Sequence, residues 1–432
     1  MFKVSKLPTY FLFVFPFLIF GVVYNIVSVG VLSVILLFYF TLFLNRHEKA
    51  VICGFILMTV LGFFCRFYNI PIPGSIVALL LMLVFLGNDT VIFLSSRYFV
   101  PYFFILCFFG ICLMAYLLTG DTKNSTEKIF NMSIHMISAM ISFSILKEFE
   151  DIRLERIAPM FLLESLILIS MIMSSFFSHF FTGLFDFDAV RNTWIDLKSM
   201  GILYLNYHFM GIAAFLAAVF YLSEKKKLTT IFDYVFIISC VWAQFLAGAR
   251  QGVLGFLFFF VFWLIYRQQR IRMSMLIISV LVLICAFYCL RFVDSETFGL
   301  IFEQSDHLGA NMNRNYDYPL KIIDENFWKG IGFGNYHNPS TNEVYPHNMI
   351  LELLCEWGII GTFILFLPVV VYIASDNFLL HSLLGNSSLC MFVLFPYFTR
   401  AMISDDLSGN IELFCGFFIL FYSKNQLKNP RN

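Results

Sequence analysis

Long apolar runs recur along the chain at a spacing that only a lipid solvent tolerates. They fall at about residues 8–24, 26–44, 49–65, 75–94, 98–119, 129–146, 157–177, 199–222, 231–247, 251–266, 273–292, 347–374, 387–403 and 409–423. Each approaches the roughly 20 residues that a helix needs to cross a bilayer. Composition agrees: 60% of the 432 residues are hydrophobic, 19% aromatic and only 13% charged, where a soluble domain carries about 25% charged residues. Lipid offers no partner for backbone N–H and C=O groups, so a spanning segment of this kind must be helical. The expected fold class is therefore all-α, a polytopic integral membrane protein of about 12–14 transmembrane helices, with residues 1–432 forming one transmembrane domain.

The 28 basic and 28 acidic residues cancel, which gives no argument for nucleic acid as a partner. Their placement is more telling. Short loops rich in Lys and Arg stay on the cytoplasmic side, and Lys3, Lys6, Arg46, Lys49, Lys147, Arg153, Arg156, Lys225 to Lys227, Arg267, Arg270 and Arg272 share one side when the spans alternate. Both termini come out cytoplasmic, and Met1 to Pro8 with the run behind it reads as a retained first helix. The ten cysteines lie in or beside apolar runs with no metal-ligand spacing, so neither a metal nor another cofactor is expected.

Two segments on the outer side are too long to be simple connections: 178–198 and, longer, 293–346. Long loops in a compact domain usually bind or cover something. The second is read as a large periplasmic loop. It ends in Gly330-Ile-Gly332-Phe-Gly334, then Pro346-His347-Asn348, and an apolar helix follows carrying Glu352, Glu356, Gly358 and Gly361. Proline suits the first turn of a helix, which puts His347 at a positive dipole end, where a neutral imidazole able to accept a proton is favoured. On residue type alone it reads equally as a polar side chain at a wet boundary.

Upstream, Ala249-Arg250-Gln251-Gly252 forms a short turn between two apolar runs. The guanidinium of Arg250 is permanently charged and donates in a planar fork suited to phosphate, though an arginine reaching to lipid headgroups has the same appearance. Arg191, Lys198 and Arg314 add positive charge on the same outer side, against the prevailing bias. Glu352 and Glu356 share a helix face, able to meet arginines of the site or to form a structural contact between helices. Glu164 lies inside a span and reads as a buried, hydrogen-bonded carboxyl. His135, His179 and His208 read as structural, while Asp405 and Asp406 cap a helix or balance Arg400.

Taken in order, the Arg turn, the long loop with Asn313-Arg314-Asn315, the Gly-x-Gly-x-Gly stretch, Pro-His-Asn and Glu-x-x-x-Glu-x-Gly-x-x-Gly resemble the O-antigen polymerase and ligase family (Wzy-type). The resemblance runs from about Phe245 to Phe363. The family's upstream arginine is met only loosely, by Lys198 or by Arg191. The resemblance implies a metal-independent, inverting glycosyltransferase at the periplasmic face of the bacterial inner membrane, using a glycan donor on undecaprenyl diphosphate. Arg250 and His347 would be catalytic. Arg314, Asn348 and one of Arg191 or Lys198 would bind diphosphate or glycan. The acceptor would be a lipid-linked glycan in a polymerase or lipid A-core in a ligase, with membrane lipids around the protein and a chain-length regulator as a candidate partner. A flippase shares the span count, but transport calls for ionisable groups along a central path and for repeat symmetry, and the unusual residues here gather on one face.

Overall fold

The computed structural model describes residues 26–57, 74–94, 98–120, 122–174, 207–225, 228, 231–246, 255–257, 259–261, 263, 317–339, 345–346, 348–375, 387–403 and 406–421. Among them every regular element is helical. The main helices are α1 (Ile26–Leu42), α2 (Arg46–Ile52), α3 (Gly74–Leu86), α4 (Phe99–Thr119), α5 (Lys123–Glu148), α6 (Leu154–Ser174), α7 (Tyr207–Glu224), α8 (Ile231–Leu246), α9 (Asp317–Glu325), α10 (Met349–Ser375), α11 (Ser387–Ile403) and α12 (Leu407–Leu420). Most coincide with the apolar runs to within a few residues. The protein is an all-α polytopic membrane protein, in which α4, most of α5 and α10 are each long and apolar enough to cross a bilayer.

Three boundaries differ from the sequence reading, each for a local reason. The run expected from residue 49 begins earlier, because the Asn45 side chain accepts from Glu48 N–H while the Glu48 carboxylate takes Asn45 N–H, a reciprocal cap. That helix passes into one turn of π-helix at Cys53–Leu57. Within the long segment 293–346, Asp317–Glu325 is helical and buries Pro319, Ile322 and Ile323. Finally, α10 is interrupted at Gly358 (φ 60°, ψ −175°).

The interior is built around α5, α6, α7 and α12. Helix α7 is rich in small side chains, Gly211, Ala213, Ala214, Ala217 and Ala218, which let backbones approach closely. It packs along α6, where Ile157 to Leu163 are buried. Helix α12 runs beside α5 in the same way, with Gly416 set against Phe143 and Leu394. Large apolar side chains that elsewhere would be hidden face outward, among them Phe38, Val84, Phe99, Leu118, Phe363 and Val370. An apolar surface this extensive is stable only against lipid.

The two ends of the bundle are chemically different. At one end, His47 bridges Asp151 and Asp89 at 3.0 and 3.1 Å and stacks on Phe149, with ring centroids 3.6 Å apart. There Glu48 accepts the N–H of Arg153, and Glu224 that of Leu154. These contacts tie together four segments that the charge pattern assigns to one side. At the other end lie the α4–α5 turn, the Gly-rich stretch and the start of α10.

Candidate functional site

The Gly-rich stretch fits into the break in α10. An interrupted helix exposes carbonyls and N–H groups that lipid cannot satisfy, and here the stretch supplies partners on both sides of Gly358. Ile331 N–H donates to Cys355 C=O and Gly332 N–H to Glu356 C=O, both at 2.9 Å, while Ile359 N–H donates to Phe327 C=O at 2.8 Å. The approach is close enough to demand glycine. A Cβ on Gly330 would stand 2.4 Å from the Glu356 carbonyl, and one on Gly358 would stand 2.6 Å from the Gly330 nitrogen. Gly330, Gly332, Gly334 and Gly358 all have positive φ, conformations that side chains with a Cβ rarely adopt.

A run of free backbone N–H groups can cradle phosphate, but these are occupied. Gly330 donates to Asn326, Ile331 and Gly332 to α10, Asn335 to Gly332, and Phe333 to the Thr119 hydroxyl at 3.0 Å. The motif is a structural wedge, seated on α10 and on the turn between α4 and α5, where Gly334 lies against Ser125.

Beneath the wedge is a buried ionic cluster. Lys128 of α5 donates to Glu352 and, at 2.7 Å, to Glu356, and its ammonium stands 5.0 Å from the centre of the Phe333 ring. Glu352 also accepts the N–H of Leu407 at 2.9 Å, at the start of α12. All three side chains are at most 6% exposed. Of the two readings open for Glu352 and Glu356, the structural one holds: they meet a lysine from a neighbouring helix, joining α5, α10 and α12. Deeper in, His135 and Arg400 share Glu412 at 2.8 and 3.2 Å, so Arg400 is balanced by Glu412. Asp406 instead caps α12 by accepting from Gly409 N–H at 3.1 Å. Glu164 is buried in α6.

Of the residues singled out for chemistry, Asn348 is described. Its Oδ1 accepts from Ile350 and Leu351 N–H at 2.9 and 3.1 Å, capping α10, and its Nδ2 donates to Met402 C=O at 2.9 Å. Both ends of the amide are thus engaged within the protein, tying the start of α10 to the end of α11. Arg191, Lys198, Arg250, Arg314 and His347 lie outside the described residues, as do His179 and the side chain of His208.

Residues 234–366 match the family model described as O-antigen ligase. Over that stretch the chain is similar to an O-antigen ligase domain. The stretch contains the Arg250 turn, Arg314, the glycine wedge, Pro346 to Asn348 and the broken first half of α10, whereas Lys128, Arg191 and Lys198 come from the chain before it. The match supports the O-antigen polymerase and ligase family as a whole, whose substrates are lipid-linked glycans. No curated protein matches the chain. Sequence reasoning does not single out Lys128; the carboxylates four residues apart in an apolar helix are the signal that a buried cation is near.

Proposed function

We propose that the protein is a polysaccharide polymerase, joining undecaprenyl-diphosphate-linked repeat units at the periplasmic face of the bacterial inner membrane. The observation that carries this reading is the O-antigen ligase family match, which spans the Arg turn and the Pro-His-Asn motif together. Arg250, with Arg314 and one of Arg191 or Lys198, holds the donor diphosphate and stabilises the negative charge that builds on it as its bond to the sugar breaks. His347 takes the proton from the acceptor hydroxyl, whose oxygen forms the new glycosidic bond with inversion. No metal is needed, since diphosphate is already a good leaving group and the protein supplies position and charge. Asn348 acts as a positioning residue, fixing the start of the helix to which His347 is joined.

The description of the matched family favours a second reading, a ligase that moves finished polymer to lipid A-core. A deletion strain separates the two on a lipopolysaccharide gel. Core bearing a single repeat unit marks a lost polymerase, and bare core with lipid-linked polymer accumulating marks a lost ligase. His347→Ala and Arg250→Ala, each still present in the membrane, are expected to abolish long chains; normal chains from either remove that residue from the chemistry. Cysteine labelling that placed positions 250, 314 and 347 on the cytoplasmic side would sink the enzyme reading altogether.

A further inference from the structure

A groove of about 850 Å³ runs between α4 and the second half of α10, a size in the usual range of ligand sites, about 300–1,000 Å³. From Phe104 to Thr119 on one wall it follows 16 residues of helix, roughly 22 Å at 1.5 Å per step, most of the hydrocarbon thickness of a leaflet pair. Its walls are apolar and are hollowed where Gly110, Ala115 and Gly361 replace larger side chains. Its head lies under the glycine wedge, where Lys329, Glu356 and Trp357 line it.

Two polar atoms at that head are buried and have no hydrogen-bond partner: Glu356 Oε1 and the Trp357 indole Nε1. The residues are 2% and 8% exposed. Leaving such groups unpaired costs about 1–3 kcal/mol each, so an unpaired acceptor and an unpaired donor on consecutive residues lining the polar end of an apolar channel mark it as a site for a headgroup. The ligand must offer an O–H or N–H to the carboxylate and an anionic oxygen to the indole N–H, with Lys329 alongside for the charge.

Resting on the polymerase reading, we infer that this groove holds the acceptor, a lipid-linked repeat unit whose polyprenyl chain lies between α4 and α10. Its phosphate meets Trp357 and Lys329, and a hydroxyl of the first sugar donates to Glu356. The donor is a poorer fit. Charge grows on its diphosphate during reaction and calls for the arginines, whereas the acceptor's phosphate does not react, and one lysine with one N–H suffices beside a carboxylate that would oppose further negative charge. The spacing suits an acceptor too. Glu356 follows Asn348 by eight residues, about 12 Å along a helix, which leaves room for sugars between a phosphate at the groove head and a reacting hydroxyl at the far end of the unit.

The test uses the full-length protein in nanodiscs and a polyprenyl diphosphate disaccharide bearing a diazirine on the lipid chain. Labelling is expected to saturate and to map to α4 and the second half of α10. Trp357→Phe removes the indole N–H together with part of the ring and is expected to weaken binding about tenfold. Gly110→Phe fills the channel without straining the fold, because a Cβ there meets nothing within 4 Å, and it is expected to abolish labelling of α4 and α10 and to shorten polymer in cells. Labelling of α4 and α10 that survives Gly110→Phe, or that phosphatidylethanolamine displaces as well as unlabelled probe does, overturns the proposal; the latter result marks an ordinary phospholipid site. Normal polymer in Gly110→Phe cells also overturns it while leaving the polymerase reading intact. That reading fails separately, if His347→Ala and Arg250→Ala cells keep their long chains.

Discussion

Removing the Lys128 ammonium exposes how much of the site's architecture depends on one charge. Lys128, Glu352 and Glu356 are at most 6% exposed, so Lys128→Met leaves two carboxylates in a medium that cannot solvate them. Breaking a buried ion pair from one side costs about 3–5 kcal/mol. The lower end is the better figure here, because Glu352 keeps the Leu407 N–H and one carboxyl can take up a proton. A loss of about 3 kcal/mol lowers the folded-to-unfolded ratio roughly a hundredfold. Reversible unfolding of purified protein in mixed micelles measures it directly. The triple variant Lys128→Met, Glu352→Gln, Glu356→Gln is expected to recover most of the loss, since the uncompensated charge has gone with its partner. A Lys128→Met protein within about 0.5 kcal/mol of the original, the range of ordinary surface changes, would refute the reasoning. So would a triple variant no better than the single one.

Three further outcomes follow from the wedge and its surroundings. Gly358→Ala forces a Cβ to within 2.6 Å of backbone atoms at a φ of +60°; the conformation alone costs about 1–3 kcal/mol, and both thermal stability and polymer formation are expected to fall. Asn348→Ala removes the cap of α10, about 1 kcal/mol, together with the bond to Met402, while Asn348→Asp keeps the cap alone. Melting temperatures are expected in the order Asn, Asp, Ala, and an Ala variant equal to the parent contradicts the positioning role. Thr119→Val leaves the Phe333 N–H without its acceptor, and faster hydrogen exchange at Phe333 is expected with little change in α4.

Helix positions were legible because lipid enforces a simple code, in which runs such as 98–119 and 387–403 have no alternative to being helical. The start of α2 was missed because the reciprocal cap between Asn45 and Glu48 sits in polar residues that a hydropathy reading treats as loop. The break in α10 was missed for the opposite reason. Apart from Glu352 and Glu356 its surroundings are apolar, and one of two glycines within 27 residues carries no hydropathy signal; only the partners waiting at Phe327, Ile331 and Gly332 make the interruption stable.

The site was legible as a set of residue types but not as an assignment of jobs. A glycine-rich stretch invites a phosphate-binding role, yet its N–H groups are spent on the broken helix and on Thr119. The consequence is a division of labour along the chain. Backbone from residues 327 to 335 repairs α10, the Lys128 cluster anchors the repaired helix to α5 and α12, and side chains are left to deal with the substrate. Glu356 stands on both sides of that division, since one oxygen pairs with Lys128 and the other is buried without a partner at the head of the groove. Glu356→Gln keeps the shape, removes one negative charge from a cluster that has two carboxylates for one ammonium, and leaves Glu352 to hold Lys128. Its stability cost is accordingly expected to be well below that of Lys128→Met. If the two variants unfold alike, the cluster does not behave as the excess-negative unit that its geometry describes.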